Sequence, residues 1–162
     1  MKIIPLSEGS FTVDGTKKFV PFDDRKDDIK ARPPGSLLVE VQPFVIITSN
    51  DILILDTGLG FTNPDGTLQI HQNLIDAGIN PLDVTKVLMT HLHKDHAGGV
   101  SKEDAVLQKR FLSFPNATYV VNKQELEIAL SKLSKSYVME DVTALTETDK
   151  LELVESTGTI EG

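Results

Sequence analysis

Three of the four histidines fall within six residues, His91-Leu92-His93-Lys94-Asp95-His96, and Ala97-Gly98-Gly99 follows directly. In an extended segment the side chains at i and i+2 point the same way, so His91 and His93 can grip one metal ion. A turn immediately afterwards can swing Asp95 and His96 toward a second ion nearby. Imidazole nitrogen and carboxylate oxygen suit zinc, and also iron, manganese or cobalt. The chain has no cysteine, so thiolate sites and disulfide scaffolds are excluded. Gly98 and Gly99 let the backbone bend closely past the cluster.

The elements around this cluster must position it. Val87-Leu88-Met89 reads as a buried strand that runs straight into His91, and ligands delivered from a strand's carboxyl end fit the usual place of α/β active sites. Upstream, Leu37–Val41 and Phe44–Thr48 are strand-like, and a Ser49-Asn50-Asp51 turn leads into Ile52–Leu55. The near-continuous apolar run at 52–55 predicts a strand buried on both faces. It ends in Asp56-Thr57-Gly58-Leu59-Gly60. Residues 68–77 read as a helix with Leu68, Leu74, Ile75 and Ala77 inward and Gly78 as its C-terminal cap. Asn80-Pro81 starts a further helical turn. Ala117–Val121 is a strand, and Asn122 with Glu125 makes a capping-box-like start for a helix through about Leu133, with Leu126, Ala129, Leu130 and Leu133 as core. Ile3–Leu6 is expected as an edge strand because Pro5 cannot donate to a central ladder. Residues 9–35 are expected to form a long polar loop, either a surface excursion or a lid, and Leu151–Val154 a last strand. Strands and helices alternate, which predicts an α/β, layered protein in a single domain over residues 1–162.

The segment Thr90–Gly99 resembles the signature of the metallo-β-lactamase superfamily. Asp56-Thr57-Gly58 stands where that family places its first acidic motif, and Asn73–Pro81 resembles its lactonase and organophosphate-hydrolase branch. The resemblance covers residues 37–121 closely and the rest loosely. It implies an αββα sandwich of which this chain is about the first half. It implies that His91 and His93 bind the first of two divalent metal ions, most simply zinc, and that Asp95 and His96 bind the second. It also implies a metal-held hydroxide that attacks small esters, lactones, thioesters or phosphotriesters. Asp95 would orient the nucleophile or protonate the leaving group, and Asp56 would order the ligand loop through hydrogen bonds.

The family pattern continues with a third first-metal histidine, a bridging aspartate and a final histidine, yet no histidine follows His96. The expectation is therefore a C-terminally truncated half-site. A lone half would also expose a sheet face, to be covered by a missing C-terminal half or by a homodimer. His71, the remaining histidine, is expected at a solvated helix position rather than as a ligand. Lys94 is read as a solvent-facing spacer, with contact to an anionic substrate as the other reading, and Phe61 as a packing or pocket-mouth residue.

Bulk composition narrows the classes. With 40% hydrophobic and 25% charged residues the chain is globular rather than disordered. A formal charge of −8 disfavours nucleic-acid partners and leaves a small-molecule substrate as the expectation. No apolar run reaches membrane-spanning length and no signal segment opens the chain, so no membrane association and a cytoplasmic location are expected. Two other readings compete. One is a non-catalytic, metal-stabilised binding or structural domain. The other is an aspartic-protease-like dimer that uses the Asp56-Thr57-Gly58 triplet, which leaves the histidines unexplained.

Overall fold

Short strands dominate the chain ahead of its first α-helix. The computed structural model describes residues 1–131 and 134–155. β1 (Lys2–Pro5) and β2 (Gly9–Val13) run antiparallel to β5 (Phe44–Ile47) and β4 (Leu37–Val41) as one bent ribbon. β1 lies at a sheet edge, where the missing N–H of Pro5 costs nothing.

The expected loop at 9–35 is corrected by the structure. β2 and β3 (Phe19–Phe22) form a hairpin, and with β4 they make a three-stranded sheet in the order β3-β2-β4. Phe11 and Val13 bury one face of this sheet. The polar residues that suggested a loop lie in the Asp14–Lys18 turn and after β3, where Ile29–Ala31 forms a 3₁₀ turn.

The main sheet has six strands in the order β1-β5-β6-β7-β10-β11, with β6 (Ile52–Leu55), β7 (Lys86–Leu88), β10 (Thr118–Asn122) and β11 (Leu151–Val154). β1, β5 and β6 are antiparallel, whereas β6, β7, β10 and β11 are parallel. The parallel steps carry helical crossovers, as they must: α1 (Gln69–Asp76), α2 (Lys94–Ala97), and α3 (Lys123–Leu130) with α4 (Met139–Thr146). A hairpin of β8 (Ser101–Asp104) and β9 (Lys109–Leu112) lies between α2 and β10.

Helices cover one face of the main sheet. The row Val45, Ile54, Val87 and Tyr119 is fully buried with Ile70 and Leu74 of α1, Leu126 and Ala129 of α3, and Val142 and Leu145 of α4. The opposite row is left partly open: Ile46, Leu53, Leu55 and Leu88 are half-buried, and Phe44 is 37% exposed. Thus β6 is not buried on both faces as its apolar run suggested; only Ile54 of its four residues is fully buried. Two helix faces also differ from expectation. Ile70, not Ile75, turns inward from α1, while Leu130 of α3 is exposed and Leu133 lies outside the described residues. Gly78 caps α1 as expected, with φ +79° and bonds from Gly78 N to Ile75 O and from Ile79 N to Leu74 O. Among the described residues no helix is long and apolar enough to cross a membrane.

Candidate metal centre

The candidate ligands sit where β6 and β7 end side by side. After β7, Leu92 turns into the core (1% exposed) and its N–H donates to Glu125 Oε1 at 2.9 Å. Pinning Leu92 inward forces His91 and His93 outward on the same side, which is the i, i+2 alternation expected of an extended segment. Their ring centroids are 4.6 Å apart, and His91 lies 4.0 Å from His96. Tyr137, whose hydroxyl donates to Glu125 at 3.2 Å, packs edge-on against His93 at 4.9 Å.

Immediately after His93 the chain turns into α2, and this turn brings Asp95 and His96 round. Asp95 Oδ2 lies 3.5 Å from His96 Nε2. Two donors sharing one zinc ion at 2.0–2.1 Å in tetrahedral geometry are about 3.4 Å apart, so this pair is spaced as co-ligands. The four candidate donors are nitrogen and oxygen, a set that divalent metal ions accept. Among the described residues no three His, Asp or Glu side chains gather around one point; each ion would take its remaining ligands from elsewhere.

Asp56 holds the cluster in register. Its backbone adopts φ +59°, a conformation Asp tolerates better than most residues. Its Oδ1 accepts from Thr90 N at 2.8 Å, Thr90 Oγ1 lies 2.7 Å from Oδ2, and His96 Nδ1 lies 2.8 Å from Oδ2. With its one proton given to Asp56, Thr90 Oγ1 can accept from His91 Nδ1 at 3.2 Å. Both rings are then assigned as Nδ1–H tautomers, which leaves Nε2 of His91 and of His96 free for a metal. Burial holds the His91 pKa below the usual imidazole range, helped by the neighbouring His96 and His93. Burial pulls His96 the same way, but its bond to Asp56 and the charges of Asp56 and Asp95 outweigh it and raise its pKa. Asp56 is thus committed to Thr90 and His96, which leaves it unavailable for the shared-proton carboxylate pair of an aspartic protease.

Backbone contacts lock the Asp56 loop onto α2. Thr57 N donates to His96 O at 2.7 Å, and Gly58 bridges to Ala97. Sequence reasoning missed what lies beneath this loop. Glu8 is 5% exposed, its Oε2 accepts from Leu59 N at 2.7 Å, and its carboxylate occupies the place a Gly58 side chain would take. A glutamate before a glycine in a polar stretch gives no signal of this, because its burial depends on a contact 51 residues away. Thr90 was likewise unassigned, and Glu125, read only as the partner of Asn122 at a helix start, also accepts from Leu92 N and the Tyr137 hydroxyl. His71 is half-buried rather than solvated: Nε2 lies 2.9 Å from Ser113 O, the ring is edge-on to Phe114, and it takes no part in the cluster. Lys94 is not a free spacer either, since its ammonium lies 5.8 Å from the Phe19 ring centroid. A cavity of about 180 Å³ opens on Asp56, Asp95 and His96 and is walled by residues 39–43.

Residues 38–157 match the family model of the metallo-beta-lactamase superfamily. This chain belongs to that superfamily. An N-acyl homoserine lactonase (AttM) of Azorhizobium caulinodans is 39% identical to it over 54 residues, 33% of this chain and 16% of that protein. A lactamase-like protein (notP) of an Aspergillus species is 44% identical over 57 residues, again 16% of its length. Among solved superfamily structures, a probable metal-dependent hydrolase from Staphylococcus aureus superposes with a TM-score of 0.68 at 22% identity, over 95% of this chain and 58% of that one. AidC, a dizinc quorum-quenching lactonase, superposes at 0.66 and 20% identity, over 98% of this chain and 59% of its own. The chain therefore spans little more than half the length of these superfamily structures, and its fold corresponds to that share of an αββα sandwich.

Proposed function

We propose that this chain carries the first half of the active site of a metal-dependent hydrolase acting on small lactones, with esters, thioesters and phosphotriesters as further substrates of the same chemistry. The observation that carries this reading is the Asp56–Thr90–His91–His96 network, which aims two imidazole Nε2 atoms outward beside Asp95. Its support is the family match and the lactonases among the similar proteins. His91 and His93 would hold one divalent ion, and Asp95 and His96 the other, with zinc, iron, manganese or cobalt suited to such an N/O set and zinc the first choice. When bound, such ions lower the pKa of water and polarise a carbonyl or phosphoryl oxygen. Of the chain's own groups, Asp95 stands at the open edge of the cluster, where its carboxylate can orient a water and carry a proton to the leaving oxygen. Asp56 keeps His96 in the ligating tautomer, and Thr90 does so for His91.

The half-open row Phe44, Ile46, Leu53, Leu55 and Leu88 is the face that a second αβ half, or a second copy of this chain, would cover. The same partner would bring the further ligands each ion needs.

The test is metal content by elemental analysis on the purified chain, with its oligomeric state, followed by ring opening of an N-acyl homoserine lactone with and without chelator. Bound divalent metal with chelator-sensitive hydrolysis in a self-associated chain is the expected result; a folded monomer without metal means a severed half-site whose further ligands lie in a second half, and a folded dimer that takes up no metal overturns the site assignment. Asp56→Ala should weaken metal affinity about 10–100-fold, read by competition with a chromophoric chelator, because it frees both His96 Nδ1 and the Thr90 hydroxyl. An affinity equal to wild type would remove Asp56 from the site.

A further inference from the structure

Positive charge gathers beside the candidate centre in a way the sequence does not announce. The chain carries 16 Lys and Arg against 24 Asp and Glu, yet Lys17, Lys18, Lys94 and Arg110 line a single cavity of about 440 Å³. They come from segments far apart in sequence: the turn between β2 and β3, the start of α2, and β9. Among the described residues one carboxylate joins the wall: Asp141 of α4 is 4% exposed and is engaged by Ser101 Oγ at 2.6 Å and by Arg110 at 3.4 Å. Burial pushes the Asp141 carboxyl up to about 6, and its single negative charge is set against Arg110 rather than against the three lysines. Among the described residues Lys17, Lys18 and Lys94 form no ion pair, whereas Arg25, Lys26, Lys86 and Lys123 do. Arg110 is paired with Asp141, whereas the three lysines add like charge whose mutual repulsion a bound anion would relieve.

The wall between these cations is apolar and fixed. Phe19 and Phe61 line the cavity, and both pack edge-on against the buried Phe11, at 6.2 Å and 5.7 Å. The Lys94 ammonium sits over the Phe19 ring, a contact that restrains the lysine and costs little of its charge. The volume suits a small ligand rather than a polymer, and the chain's overall negative charge repels polyanions.

We propose that the cavity bounded by Lys17, Lys18, Phe19, Phe61, Lys94 and Arg110 is a binding site for a small organic oxyanion, a carboxylate or phosphate carried on an apolar body. The oxyanion lies among the four cationic groups and the apolar body against Phe19 and Phe61. The site stands on the cavity itself and does not need the hydrolase reading. If that reading also holds, the anion lies beside α2, whose Asp95 and His96 face the candidate metals.

The experiment is equilibrium titration of the chain with phenyl phosphate and with inorganic phosphate, without added metal. Saturable binding of both is expected, with phenyl phosphate the tighter because only it uses the aromatic wall. The double variant Lys17→Glu/Lys18→Glu should bind phenyl phosphate at least about tenfold more weakly. A control with the same charge change elsewhere, Lys2→Glu/Lys30→Glu, should lose much less. If the charge reversal impairs folding, Lys17→Ala/Lys18→Ala serves in its place. Absence of saturable binding, or equal losses in the pocket and control variants, overturns the proposal; loss confined to the pocket variant supports it whether or not the chain hydrolyses a lactone.

Discussion

Gly60→Ala is expected to destabilise the protein by at least ~4 kcal/mol and to abolish metal uptake with it. Gly60 has φ +71°, and a Cβ there would overlap the carbonyl oxygen of Gly98. The approach is mutual, because a Cβ on Gly98 would overlap the Leu59 carbonyl and lie 2.6 Å from Lys94 O. Every atom in the way is backbone, so no side chain can swing aside. The variant must either force Ala into a left-handed conformation, at about 1–2 kcal/mol, and push α2 away from the Asp56 loop, or give up the loop. Either route separates His96 from Asp56, now 2.8 Å apart. Denaturant unfolding measures the cost, with Gly15→Ala as control: a Cβ at Gly15 meets nothing within 4 Å, so its change should stay within about 1 kcal/mol. A Gly60→Ala protein as stable as that control would mean the two loops do not touch as described.

This contact also marks the limit of what the sequence discloses. Gly98 and Gly99 next to the histidines signalled a close backbone passage, but nothing in the string says the passing chain is Leu59 and Gly60. The alternation of His91, Leu92 and His93 was legible because a buried Leu between two polar residues has one reading beside a strand. β8, with the sequence Ser101-Lys102-Glu103-Asp104, was not, because it carries no apolar alternation and exists through its pairing with β9. α4 was missed for a different reason: Met139, Val142 and Leu145 do repeat at helical spacing, but Met139 is only partly buried and the N-terminus at Val138 lacks a side-chain cap. Such a short helix is held by tertiary packing more than by its own propensity. β6 was over-read in the opposite direction. Its apolar run fits a strand buried on both faces, and the described residues pack only one.

Glu8 should make stability fall as pH rises through neutrality, and Glu8→Gln should remove that fall. Burial raises its carboxyl from the ordinary 4.5 to about 7 while the hydrogen bond from Leu59 N pulls weakly the other way. Oε2 takes that bond, and Oε1 has no hydrogen-bond partner among the described residues. Between the two values the folded chain binds a proton that the unfolded chain has released, so stability decreases with pH across this window. The contribution is fully present below 4.5 and lost once the pH passes about 7. From about pH 5 to about pH 8 it amounts to roughly 2–3 kcal/mol. Glutamine keeps an acceptor for Leu59 N and cannot ionise, so the difference between the two proteins isolates this one group from every other that titrates there. Unfolding midpoints for both, measured across that range, should be close at the acidic end and diverge in favour of the variant at the basic end. Parallel curves would mean that the carboxylate reaches water and does not press on Gly58 from a closed site. A divergence would make Glu8 a load on the Asp56 loop that the fold carries at neutral pH, and the same loop sets the position of His96.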